Sequence, residues 1–109
     1  MSDTITVAIA TMNSTPNFKS NMKTVEGLIS KAAHADWLVL PEMFTALGDS
    51  DEILRLARDE FDEIYQKMSH LASKYQLTIF CGSIPEYNKN EEKCFNTSIV
   101  FSKDGKEIG

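Results

Sequence analysis

The stretch Asp36–Phe44, DWLVLPEMF, decides how the rest of the chain is read. Trp37 to Leu40 is an unbroken apolar run of the length and composition of a short core strand. Pro41 ends it, because proline gives no amide to a sheet ladder and holds one backbone dihedral. Glu42 therefore stands at the tip of a strand whose body belongs in the core. In sheets built from parallel strands, the crevice at the carboxyl ends of the strands is where chemistry gathers.

The flanks supply the sheet that this strand needs. Ile5 to Met12 reads as a first strand; none of its residues is charged, which predicts cover on both faces. NSTPNFKSN carries turn and helix-start residues. A first helix is predicted to follow as far as about Ala33, with Phe18, Met22, Val25, Ile29 and Ala32 at helical spacing. Gly27 weakens it mildly. Beyond Glu42, MFTALGDSDEIL reads as a loop with a helical turn near DSDE. Phe61, Ile64, Tyr65, Met68, Leu71, Ala72 and Tyr75 then mark a second helix by their i, i+3, i+4 pattern. Thr78 to Ser83 is a third strand. Only ten residues, Ile84 to Lys93, separate it from a fourth around Asn96 to Phe101. That is too short for a helical crossover, so the pair is predicted antiparallel. SKDGKEIG makes an Asp-Gly turn into the start of a fifth strand. The order β-α-β-α-β-β-(β) is an α/β chain with a mixed sheet.

The chain has 109 residues, 42% hydrophobic and 25% charged, which suits one small globular domain and no more. A net charge of −5 with scattered Lys and Arg predicts no nucleic-acid partner and no anionic membrane surface. Two cysteines, Cys81 and Cys94, make no disulfide framework and no CxxC pair. The N-terminal residues MSDTITVAIA have no basic segment and no long apolar run. A reduced, cytoplasmic protein is expected.

Glu42 is the candidate site residue. Beside Met43 and Phe44 its carboxylate would lie in partly apolar surroundings, which favour the neutral form and suit proton transfer. The alternative is a solvated glutamate in an ordinary βα loop. Cys81, between Phe80 and Gly82, reads as a small buried hydrophobe with no basic neighbour to make a thiolate. Cys94 reads as a structural or exposed thiol. Lys103 and Lys106 flank the Asp-Gly turn as solvated charges. His34 and His70 are placed on helices far apart in sequence, with no metal-ligand spacing.

VAIATM (Val7–Met12), DWLVLPEMF (Asp36–Phe44), IFCGSIPE (Ile79–Glu86) and FNTSIVFSKDGKEIG (Phe95–Gly109) occur in the order typical of the nitrilase, or carbon–nitrogen hydrolase, superfamily. Each motif alone is weak; the ordered set spans essentially the whole chain. GSIPE followed by NTS most resembles the small-amide hydrolases that include omega-amidases. The resemblance implies the N-terminal portion of an α-β-β-α sandwich, so that residues 1–109 form a partial domain. It also implies a Glu, Lys and Cys catalytic set, often with a second Glu, that hydrolyses small amides or nitriles through a covalent thioester or thioimidate. No cofactor and no metal is expected. Glu42 matches the family's general base, whereas neither the family's lysine nor its cysteine has a counterpart in these residues. The readings that follow are a truncated product, an expressed N-terminal segment or one fragment of a cleaved enzyme. Each is inactive alone and inclined to form homo-oligomers or to pair with a complementary fragment. The alternative is a non-catalytic α/β segment that assembles through its unfinished sheet.

Overall fold

A computed structural model describes residues 4–15, 17–45, 50–90 and 93–109. The elements run β1 (Val7–Ile9), α1 (Phe18–Lys31), β2 (Trp37–Val39), α2 (Ser50–Tyr75), β3 (Thr78–Asn88) and β4 (Lys93–Phe101). They form one mixed four-stranded sheet in the order β1-β2-β3-β4. The first two pairings are parallel, with Leu38 between Ala8 and Ile79, and the third is antiparallel, with Ile79 opposite Phe101. The predicted element order, the antiparallel pair after the parallel strands and the mixed sheet are thus observed. Asp36 ties the entry of β2 to β1: its carboxylate accepts the Thr6 amide at 2.8 Å, and its own amide donates to the Thr6 carbonyl at 2.8 Å.

Both β-α-β connections step the same way along the sheet, so right-handed crossovers bring both helices to one face. The core is built there. Leu38, Ile79, Cys81, Ile99 and Phe101 from the strands pack with Val25 and Ile29 of α1 and with Ile64, Met68 and Leu71 of α2. The period-2 partners on the other face are largely bare: Val7 is 43% exposed, Ile9 76% and Trp37 38%. Trp37 lies beside Phe80, with ring centroids 5.4 Å apart. The expectation that β1 is covered on both faces is therefore corrected for this chain. Two crossovers of one hand supply a layer to one face alone.

Element lengths also depart from the sequence reading. The predicted turn near DSDE and the second helix are one 26-residue helix. Ile53, Leu56 and Ala57 continue the buried stripe upstream of Phe61, and Asp51 and Glu52 sit favourably at the positive end of the helix dipole. Strand β3 extends to Asn88 rather than Ser83, since β4 pairs with it from Lys93 onward. The fifth strand is only begun, by a bridge between Phe101 and Glu107 and by the Val100 amide donating to the Gly109 carbonyl at 2.8 Å. Gly105 turns this hairpin at φ +86, and its carbonyl accepts the Ser69 hydroxyl of α2 at 2.6 Å.

Candidate active site

Glu42 follows β2, an inner strand, at the carboxyl ends of the parallel pair. Leu40 and Phe44 are both buried, and the three residues between them form a turn whose exposed apex is Glu42. Burial at both feet makes the turn a short bridge over the core. The carboxylate borders a shallow cleft of about 260 Å³ lined also by Met12, Asn13, Ser14 and Met43. Of the two apolar neighbours expected beside it, Met43 lines the cleft and Phe44 does not. Phe44 is fully buried, turned into the core rather than against the carboxylate, and Glu42 itself faces solvent.

Two buried polar side chains hold the walls of this cleft. Asn21, 2% exposed, lies on the core-facing side of α1. Its amide nitrogen donates to the Thr15 carbonyl at 2.7 Å and the Thr45 carbonyl at 2.8 Å, and its oxygen accepts the Thr15 amide at 2.9 Å. One side chain thereby joins the β1–α1 loop to the segment that follows Glu42. Ser83, 6% exposed, stands on β3, and its hydroxyl accepts the Met43 amide at 2.9 Å. Beside it, Gly82 has no room for a side chain. A Cβ there would lie 2.3 Å from the Pro41 carbonyl carbon and oxygen.

The other candidate residues are scattered. Cys81 is fully buried on the helix-covered face, where burial pushes its thiol up to about 12. A thiol held neutral inside a core is no nucleophile. Cys94 opens β4, half-buried, and burial raises its thiol as well, against the lowering effect of the Glu86 backbone. Because β4 runs antiparallel to β3, the turn bearing Lys103 and Lys106 lies at the end of the sheet remote from Glu42. His34 is exposed beyond α1, its Nδ1 3.1 Å from the Lys31 carbonyl, and His70 is exposed on α2. Among the described residues no group of His, Cys, Asp and Glu could hold a metal ion. No helix among them is long and apolar enough to cross a membrane.

Residues 6–109 match the carbon–nitrogen hydrolase family. The chain belongs to that family. It is 30% identical to omega-amidase NIT3 of Saccharomyces cerevisiae over 99% of its own length and 40% of that protein's. With the deaminated glutathione amidase of Synechocystis sp. it shares 31% identity over 89% of its length and 37% of the relative's. In three dimensions it superposes on the crystal structure of Saccharomyces cerevisiae Nit3, a member of branch 10 of the nitrilase superfamily, with a TM-score of 0.85 at 30% identity. That match covers 96% of this chain and 42% of the other. The chain thus spans about two fifths of the length of these carbon–nitrogen hydrolases. Its fold is the α/β fold of that superfamily.

The parts of the site that sequence reasoning missed are Asn21, Gly82 and Ser83. Two signals point to them: an asparagine on the buried stripe of an amphipathic helix, and a Gly-Ser pair inside an apolar strand run. Both are local conflicts between residue type and environment, and such conflicts gather at functional sites.

Proposed function

We propose that these residues are the N-terminal part of a carbon–nitrogen hydrolase domain that cleaves small amides of the omega-amidase kind, and that Glu42 is its general base. The observation that carries the reading is the carboxylate at the carboxyl end of an inner parallel strand, on a turn clamped from below and open to a cleft. The relatives' names support the substrate class. Glu42 takes the proton of a thiol as it attacks the amide carbonyl and gives that proton to the nitrogen as the C–N bond breaks, so that ammonia leaves and a thioester remains. The same carboxylate then takes a proton from water, whose oxygen attacks the thioester; the C–S bond breaks, the thiolate regains the proton and the acid is released. The thiol, and the lysine that stabilises the tetrahedral oxyanion, come from residues beyond this segment.

The bare face of the sheet fits this reading. Val7, Ile9, Trp37 and Phe80 form an apolar layer that the second sheet of an α-β-β-α sandwich would cover. The 109 residues are therefore a partial domain, inactive alone, that pairs with a complementary fragment or a second copy. The second reading, a non-catalytic segment that assembles through this same face, rests on that exposure.

The test compares the 109-residue chain with the complete gene product that contains it, on small omega-amides. The complete protein turns over, Glu42→Gln lowers its kcat by a factor of roughly a thousand or more, and the 109-residue chain shows no turnover. Turnover by the short chain would overturn the reading of a partial domain inactive alone, and a complete protein that binds a partner and hydrolyses no amide would favour the second reading.

A further inference from the structure

Among the described residues no side chain orients Glu42; what orients it is the backbone that carries it. The residue after it, Met43, has φ +52, in the left-handed region that a side-chain-bearing residue enters only at a cost. Such a conformation persists where the surroundings over-determine it. Here they come from β3. The Leu40 amide donates to the Phe80 carbonyl at 2.9 Å, the last ladder bond before the turn. Gly82 then lets β3 run directly beneath the Pro41 carbonyl, closer than any Cβ would permit. Next, the Ser83 hydroxyl accepts the Met43 amide at 2.9 Å. Strand β3 is freed for this role by an irregularity in its own pairing: its register with β4 shifts between Cys81 and Ile84. The Cys81 carbonyl, at the start of that shift, accepts the Ser98 hydroxyl at 3.2 Å.

Resting on the reading of Glu42 as the base, we infer that Ser83 is a positioning residue for it, acting through the Met43 amide. The hydroxyl holds the left-handed residue that closes the turn and so sets the direction in which the carboxylate leaves the sheet. Ser83 touches no substrate. Its removal leaves a part-buried amide without its partner and lets Met43 relax toward the right-handed or extended region, which swings the Glu42 side chain. Misplacing a catalytic group by about 1 Å costs up to roughly a hundredfold in rate.

The experiment uses the complete gene product on a small omega-amide, with Ser83→Ala, Ser83→Thr and Glu42→Gln. Ser83→Ala is expected to lower kcat by about 10- to 100-fold with KM within about twofold. Exchange of the Met43 amide quickens at least about tenfold, while that of Leu38 in the core is unchanged. Ser83→Thr, which keeps the hydroxyl, recovers most of kcat. The inference is overturned by a Ser83→Ala enzyme with wild-type kcat, by unchanged exchange at Met43, or by equal losses in the Ala and Thr variants. Failure of the base reading looks different: Glu42→Gln itself then keeps wild-type turnover.

Discussion

The two faces of the sheet are made from the same strands and come to opposite ends. On one, Leu38, Ile79 and Phe101 are 1% exposed or less, sealed under α1 and α2; on the other, Ile9 is 76% exposed one residue away from Ala8. Side-chain chemistry does not separate them, since both faces are apolar. What separates them is connectivity: two crossovers of one hand deliver both helices to one side. The bare face is thus an exposed apolar surface, and measurements on the two faces can break or refine the contrast.

The largest effect is expected on the covered face. Leu38→Ala removes a fully packed side chain and should cost about 3 kcal/mol in denaturant unfolding. A loss below about 1 kcal/mol would mean the helix layer is loosely docked. Next is Gly82→Ala, at the seam between β3 and the Glu42 turn. A Cβ meeting backbone atoms at 2.3 Å must push β2 and β3 apart, with an expected loss of about 2 kcal/mol and faster exchange of the Leu40 amide. Asn21→Ala strands the Thr15 amide and the Thr15 and Thr45 carbonyls and should cost a similar amount or slightly less.

Cys81 adds a pH arm to the covered face. Its folded-state value, about 12, lies above the ordinary 9.0, so the neutral thiol is what the fold stabilises. Between these two values the unfolded chain has lost the proton that the folded chain keeps. Stability from this group is complete below about pH 9 and falls as pH rises toward 12. Cys81→Ala should flatten the alkaline part of the stability curve, and an unchanged slope would place the thiol in contact with solvent.

The smallest effect is expected on the bare face. Ile9→Ala in the 109-residue chain should change stability by no more than about 0.5 kcal/mol. In the complete gene product the same substitution should cost about 2 kcal/mol or more, because a covering layer makes Ile9 a core residue. Equal small effects in both would leave that face uncovered there too.

The sequence by itself determined a good deal of this. The strand runs read at Ile5 to Met12, at Trp37 to Leu40 and from Thr78, with helical periodicity between them, are local signals; they contain the observed β1 and β2 and overshoot the ends. The order of the elements then dictated parallel pairing followed by an antiparallel return. Glu42 was legible as well, because a proline after a core strand marks where the strand must stop. The uncharged first strand was the signal that misled, since it predicted cover on both faces and one face is bare. Tertiary structure alone decided the rest. That α2 is one helix from Ser50 depended on Ile53, Leu56 and Ala57 meeting the core, which weak local patterning does not reveal. That Glu42 rides on a left-handed turn depended on Gly82 and Ser83, forty residues later in the chain and adjacent only once β2 and β3 pair. Sequence periodicity reports which side of an element seeks a core. Which element arrives there, and how closely its backbone approaches, is settled by pairing and packing between residues far apart in the chain.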